Sequence, residues 1–271
     1  MPERPLDPDA LRYASHWEPV LAPASRRVLD RLGSSPAVLL DLGAGTGSLT
    51  LEAASRWPES DLIVLDASGA MLGVARARVA DRGHDPARFR WLPADARDIP
   101  LDDASIDAVV SSFVLQRVDD RPQLLREVRR VLRPGGTFSF VTWLADDLVV
   151  GADEAYDEVL AALGYEPPAA GFRSPLATDY GTLDEARAEL SAAGFAEVEV
   201  RSDELHARWT PASYLRLKEH LDDHERFEAL EELEREELRQ HLLDRWAELP
   251  DEAFEVRCPL VAGVAREAAA S

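Results

Sequence analysis

The sequence predicts an α/β fold, a doubly wound, mostly parallel seven-stranded sheet with a helical cap. Three observations predict it. Val38 to Leu42 is a short apolar run bounded by turn residues, the pattern of a strand buried on both faces. Gly43, Gly45 and Gly47 follow it and lead into a helix that starts near Ser48, which makes a strand–turn–helix unit. Further strand-like runs at 62–65, 89–92, 106–110, 137–143, 195–200 and 254–264 are separated by stretches with helical spacing. The 254–264 run is expected to lie antiparallel beside the 195–200 run.

Composition bounds the function. The chain has 271 residues, enough for a sizeable core in a single domain. Its 46% apolar and 30% charged residues are those of a soluble globular protein. No apolar run approaches the ~20 residues of a membrane span. The opening Met-Pro-Glu-Arg-Pro-Leu-Asp lacks the basic start and apolar stretch of a secretion signal, so a cytoplasmic location is expected. Cys258 is the only cysteine, so no internal disulfide forms, and its apolar setting reads as core. With 30 basic and 51 acidic residues the net charge is −21, which argues against nucleic acid and against anionic membranes as partners. The blander account of that charge is an acidic, soluble surface.

The glycine turn narrows the ligand. A structural turn needs one or two glycines, and here three stand at alternate positions. A dinucleotide loop wants two glycines, two spacers and a third glycine, with phosphate on the helix end. Asp41 precedes this loop, and an acid there repels pyrophosphate but can hold an ammonium. A nicotinamide-dependent oxidoreductase is therefore disfavoured.

These residues resemble the glycine-rich loop of the class I S-adenosylmethionine-dependent methyltransferase superfamily, in its small-molecule, ubiquinone/menaquinone-methyltransferase-like type. The resemblance continues in series. Leu62-Ile-Val-Leu-Asp66-Ala67-Ser-Gly-Ala-Met71 looks like the second strand and its exit, Leu92-Pro-Ala-Asp95-Ala96 like the adenine-side loop, and Ile106 through Ser111, Ser112 and Gln116 like the fourth strand and its exit. The stretch 124–143, with Arg133-Pro-Gly-Gly136, looks like the following helix, turn and fifth strand. Together these cover roughly residues 36 to 143.

The resemblance implies a Rossmann-like methyltransferase fold, S-adenosylmethionine as cofactor and a small-molecule acceptor. It implies cofactor contacts from Asp41, Gly43, Ala44, Gly45 and Gly47, from Asp66 to the ribose diol, and from Ala67 and Met71 near the adenine. Asp95 would accept the adenine amino hydrogen and Ala96 N–H would meet a ring nitrogen. Ser111, Ser112 and Gln116 would face the methyl region. The family often has a histidine-containing pair where this chain has Gln116-Arg117, which removes an obvious general base. Met71 is also a natural core residue, since Val74, Ala75 and Val79 share its helix face. Asp66 has a structural alternative in starting the next helix, but Ser68 is available for that.

The expected organisation is one domain over 1–271, with an N-terminal helical segment (1–35) over the pocket, a cofactor-binding core (36–144) and cap or lid insertions at 145–181 and 206–250. Residues 9–32 read as helical with interruptions at Pro19 and Pro23, and with Leu11, Val28, Leu29 and Leu32 inward. Tyr13 and His16 are the candidates for acid–base work. Trp17, Trp143, Phe172 and Tyr180 are candidates to wall the acceptor site, with the Pro- and Gly-rich 164–181 segment as a lid. His220 and His224 are one turn apart, but no third ligand has a credible spacing, so no metal is expected. The oligomeric state is open, a homodimer included. A largely apolar or neutral acceptor is expected from the aromatic residues assigned to the pocket face.

Methyl transfer from a sulfonium asks the protein mainly to align reactants and exclude water, and positioning supplies roughly 7–11 kcal/mol. The alternative from another class is a sensor or partner protein that binds S-adenosylmethionine without catalysis.

Overall fold

The structure, a computed structural model, describes residues 6–145, 150–166 and 179–269. The chain opens with α1 (Pro8–Arg12), a wide turn of π-helical type at Tyr13–Trp17, and α2 (Glu18–Asp30). Then follow β1 (Val38–Leu42), α3 (Ser48–Arg56), β2 (Asp61–Asp66), α4 (Gly69–Asp81), β3 (Phe89–Pro93), β4 (Ile106–Ser112), α5 (Arg121–Val131) and β5 (Leu132–Trp143). The second half holds α6 (Gly151–Ala162), α7 (Leu183–Ala192), β6 (Glu197–Arg208), α8 (Pro211–Leu217), a second π turn (Lys218–Asp222), α9 (His224–Ala229), α10 (Glu232–Trp246) and β7 (Glu255–Arg266).

The strands form one seven-stranded sheet in the order β3-β2-β1-β4-β5-β7-β6. The first five are parallel, and β7 runs antiparallel between β5 and β6. From β1 the chain builds outward through β2 to β3, and then returns to β4 on the other side. The crevice beyond the carboxyl ends of β1 and β4 is thus the topological switch point, where such sheets bind ligands.

Leu39, Leu40 and Leu42 are wholly buried, as the continuous apolar run of β1 requires. Leu39 packs into a core with α2, α3 and the helices of the second half. Leu40 and Leu42 pack on the opposite face with Leu124, Leu125, Val128 and Val131 of α5. Those four residues are the single apolar stripe of an otherwise charged helix, so burying them fixes how α5 lies on the sheet.

The N-terminal segment differs from expectation in three ways. Leu11 is 40% exposed, because α1 ends at Arg12 and its outer face meets solvent. Pro19 does not break the helix, since it sits in the first turn of α2, where a missing N–H costs little. Pro23 lies inside α2 without ending it; the irregularity falls instead at Tyr13–Trp17. Val28, Leu29 and Leu32 are buried as their spacing predicts.

The long acidic stretch after Thr210 is not one helix. It breaks at the π turn and again before Glu232. The break has a polar cause. Lys218 is 1% exposed and pairs with Asp153 of α6 at 2.5 Å and Asp222 at 3.1 Å, with the rings of Tyr156 and Tyr214 beside it. Burying that ammonium demands partners from two elements, and they hold the turn against α6. Around it Trp246 packs between Tyr156, Tyr214 and Phe254 and donates its indole N–H to Ala152 O at 3.1 Å. Among the described residues no helix is long and apolar enough to cross a membrane.

Candidate cofactor and acceptor site

The site is built where β1 hands the chain to α3. Gly43, Gly45 and Gly47 all take positive φ (71°, 55° and 84°). A side chain at Gly43 would strike Val114, its Cβ 2.3 Å from Cγ2, and one at Gly47 would strike Ala75 at 2.8 Å. A Cβ at Gly45 would meet nothing within 4 Å. The outer two glycines therefore let the loop press against its neighbours, and the middle one leaves the crevice open.

The loop's N–H groups are largely spoken for. Those of Gly43 and Ala44 donate to Leu65 O at 2.8 and 2.9 Å, and that of Gly45 donates to Asp66 Oδ2 at 2.8 Å. At 43–45 these donors therefore bind β2 and its exit, and the crevice is offered open space at Gly45.

Two adjacent cavities lie against this loop. The outer one, about 370 Å³, is lined by Gly43, Gly45, Asp66, Ala67, Met71, Asp95, Ala96 and Ser112, and also by Tyr13, Phe113 and Arg117. The inner one, about 40 Å³, is lined by Asp41, Ala44, Thr46, Ser48 and Glu18, and shares Tyr13, Gly43, Gly45, Ser112 and Phe113 with the outer. Most of the predicted cofactor residues are brought together in this way.

Asp41 is 2% exposed and accepts the Thr50 hydroxyl at 2.5 Å. Burial pushes its carboxyl up to about 7, and nearby Asp66 pushes the same way against the Thr50 bond. An acid so placed gains from a cation beside it. Asp66 accepts from Gly45 N–H with one oxygen and from Ser68 N–H with the other, each at 2.8 Å, while the Ser68 hydroxyl accepts the Met71 N–H. Asp95 is gripped by Arg97 through Nε and Nη2, which holds its carboxyl down at about 2, and it faces the outer cavity half-exposed.

Six predicted cofactor- and acceptor-site residues stand elsewhere, for identifiable reasons. Ser111 is fully buried and donates its hydroxyl to Leu42 O at 2.9 Å, tying β4 to β1. Gln116 turns inward, donating to Phe113 O at 2.8 Å and accepting the Thr142 hydroxyl at 2.6 Å. Tyr180 is wholly buried under the Arg121 guanidinium, with its hydroxyl on Glu189, so it joins α5 to α7 and walls no cavity. Gly47 touches α4 and lines neither cavity. Trp143 is one layer back: its ring packs on Phe113, centroids 4.7 Å apart, and Phe113 forms the cavity wall. Trp17 packs against the core beside α2 and does not line either cavity. Phe172 and most of the 164–181 lid lie outside the described residues.

Of the two acid–base candidates, Tyr13 lines both cavities and His16 lines neither. Burial, with Glu18 acting the same way, pushes the Tyr13 phenol up to about 12. It stays protonated near neutral pH and is a hydrogen-bond donor rather than a base. His16 stacks on His220, ring centroids 4.8 Å apart, and burial followed by His220 and Arg216 lowers its pKa.

Sequence reasoning missed the clamp that places Tyr13. Glu18 is buried at the start of α2 and accepts two bonds from Arg78 of α4, at 2.6 and 2.7 Å, plus the Thr46 hydroxyl. Arg78 also donates to Thr46 O at 2.8 Å. These three residues come from distant parts of the chain, and no local pattern marks them. Phe113, at φ 56°, and Arg117 were missed as well.

Comparison with known proteins agrees with this fold. Residues 40–140 match a family model described as a methyltransferase domain. A malonyl-[acyl-carrier protein] O-methyltransferase of Geobacter sulfurreducens is 33% identical over 190 residues, which is 66% of each chain. A ubiquinone/menaquinone biosynthesis C-methyltransferase, UbiE, of Idiomarina loihiensis is 38% identical over 99 residues, 36% of this chain and 39% of that one. A further malonyl-[acyl-carrier protein] O-methyltransferase, from Xylella fastidiosa, is 40% identical over 109 residues. The chain spans only 36% and 39% of the Xylella and Idiomarina proteins' own lengths.

Among solved structures, phosphoethanolamine N-methyltransferase 2 of Haemonchus contortus superposes with a TM-score of 0.57 at 20% identity, covering 96% of this chain and 57% of that one. The [4+2]-cyclase SpnF superposes at 0.61 and 18% identity, covering 94% and 85%. At such identities they speak for the fold alone. Fold, loop, acid series and family match converge: the chain belongs to the class I S-adenosylmethionine-dependent methyltransferase superfamily.

Proposed function

We propose that the paired cavities bind S-adenosylmethionine and that the protein moves its methyl group to an oxygen, nitrogen or carbon of a small-molecule acceptor. The observation that carries this reading is the pairing itself. A roomy outer cavity edged by Asp66, Met71, Asp95 and Ala96 suits a nucleoside. A small inner one with a buried, protonatable Asp41 suits an amino-acid end with its ammonium. The open position at Gly45 leaves space between the two.

Bound there, S-adenosylmethionine supplies a methyl group already activated on a sulfonium. The chain's own residues supply placement. Asp66 accepts hydroxyl hydrogens, Asp41 holds the ammonium and Met71 packs on the base. Tyr13 and Phe113 line both cavities. The Glu18–Arg78–Thr46 clamp brings the N-terminal segment over the glycine loop and keeps water from the reacting centre. The helices α6, α8, α9 and α10, which lie in the segments 145–181 and 206–250, would form the cap on the acceptor side. Among the described residues that line the cavities, Asp41 is assigned to the ammonium and Tyr13 stays protonated, so the reading favours an acceptor whose nucleophile is already ionised or needs no base.

The relatives named above include carbon and oxygen methyltransferases, which supports the reaction class and leaves the atom open. The other reading is a sensor or partner protein that binds S-adenosylmethionine without catalysis, because fold does not fix reaction. The deciding experiment is calorimetry with S-adenosylhomocysteine and NAD, followed by an acceptor screen that reads S-adenosylhomocysteine formation. Binding of NAD but not S-adenosylhomocysteine overturns the cofactor. Cofactor binding with no turnover on any acceptor supports the non-catalytic reading.

A further inference from the structure

One charged group of the outer cavity has no part in the site just described. Arg117 ends a short 3-10 turn, Leu115–Arg117, beyond β4. That turn is rigidly made. Gln116 is bonded to Phe113 O and to Thr142, the Arg117 N–H donates to Val114 O at 2.7 Å, and Phe113 holds a positive φ of 56°. The product of this construction is an exposed guanidinium on the rim of the cavity, within electrostatic reach of the Tyr13 hydroxyl.

The other arginines around the site are occupied. Arg97 grips Asp95, and Arg78 grips Glu18. Among the described residues no acid pairs with Arg117. Asp119 lies on the same rim, and its charge bears on Arg97. In a chain of net charge −21, an exposed arginine with no acid partner among the described residues thus stands on the rim of the cavity that Tyr13 also lines. Solubility gives no reason for that placement, whereas an incoming anion does.

We propose that the acceptor carries a carboxylate, and that Arg117 holds it at the cavity mouth beside Tyr13. The proposal rests on the methyl-transfer reading and names the substrate class for it. A guanidinium presents paired N–H donors in a plane, which matches a carboxylate in a two-bond fork. A phosphate dianion fits the same fork, but it meets about twice the repulsion from the protein's overall charge, so the singly charged group is favoured. The neutral acceptor expected from sequence becomes an apolar body with one anionic end. Val114, Val118 and Phe113 line the cavity next to Arg117 and offer the apolar contact.

The test uses the full chain saturated with S-adenosylhomocysteine and three probes of one shape: benzoate, benzamide and phenyl phosphate. Calorimetry on the wild type should show benzoate binding at least about tenfold tighter than benzamide, as a charge-assisted fork requires. Arg117→Gln should erase that difference, and Arg117→Lys should restore part of it, since lysine keeps the charge but not the fork. Benzoate that does not bind, that binds no better than benzamide, or that keeps its advantage in Arg117→Gln overturns the proposal. Phenyl phosphate binding more tightly than benzoate overturns the assignment to a carboxylate. A fall in S-adenosylhomocysteine affinity as large as the fall for benzoate moves Arg117 to the cofactor and also overturns it. Failure of the wild type to bind S-adenosylhomocysteine falls on the methyl-transfer reading instead, and the benzoate–benzamide difference, measured without it, still decides the role of Arg117.

Discussion

Asp66 accepts the backbone N–H of Gly45 at 2.8 Å, so the acid at the end of β2 also fastens the glycine loop that leaves β1. Two strands meet in one carboxylate. Ligand binding and loop geometry are therefore coupled at Asp66, whereas from sequence its structural work seemed replaceable by Ser68.

Asp66→Ala should weaken S-adenosylhomocysteine binding by at least about tenfold, since bonds to a charged acceptor are worth ~1.5–3 kcal/mol. It should also lower the melting temperature, because the Gly45 and Ser68 N–H groups lose their acceptor. Calorimetry and thermal melts on the same variant check both. Lower affinity with an unchanged melt would mean that the Gly45 bond contributes nothing to the fold.

The three glycines should separate by effect. Gly43→Ala and Gly47→Ala drive a methyl into Val114 and Ala75, so each should destabilise the fold by about 1–3 kcal/mol. Gly45→Ala meets open space and costs only the left-handed backbone, about 1–2 kcal/mol. Its methyl enters the crevice, so cofactor affinity should suffer more than stability. Equal melts and equal affinities across the three would contradict this division.

Asp41 gives a pH dependence with a definite sign. Its folded carboxyl is raised to about 7, above the unfolded value near 4, so the folded state binds the extra proton between those limits. Stability without ligand should fall as pH rises from about 4 to about 7, and then level off. An ammonium beside Asp41 favours its ionised form. S-adenosylhomocysteine binding near pH 6 should therefore release a proton, with affinity rising toward pH 7. Calorimetry in buffers of different ionisation enthalpy reads the proton directly. Asp41→Asn should abolish it; a release that persists in the variant would place the titrating group elsewhere.

Glu18→Gln removes the charge that joins Arg78 and Thr46 to α2. The N-terminal segment should then open, at a cost of about 1–3 kcal/mol for the weakened charge-assisted bonds. Limited proteolysis should cut faster before residue 18, and S-adenosylhomocysteine should dissociate sooner. Unchanged cleavage and dissociation would show that the clamp does not govern closure.

The parts legible in the sequence are those set by local pattern. The period of β1 to β5, the glycine turn and the acids at 41, 66 and 95 all depend on residues near one another in the chain. Gln116 and Ser111 show where that stops. Their positions follow from the strand, but which way each side chain turns is decided by Thr142 and by Leu42 O, on neighbouring strands. Tyr180 is the same case: an aromatic beside a glycine-rich stretch reads as part of a lid, yet Arg121 and Glu189 draw it inside. Glu18 and Arg78 could not be paired in advance because nothing local distinguishes one surface acid or base from another before the helices are packed.

The sheet order carries a consequence for synthesis. β6 touches the rest of the sheet only through β7, and β7 is made after α8, α9 and α10. A growing chain that has already produced β6 has no strand to pair it with, and the outer side of β5 stays open for as long. Pairings across such a sequence separation form late and slowly. The half-made protein therefore exposes two unpaired strand edges to its neighbours during translation. The acidic residues on β6, Glu197, Glu199, Asp203 and Glu204, would guard that interval by repelling other copies of the chain until β7 arrives.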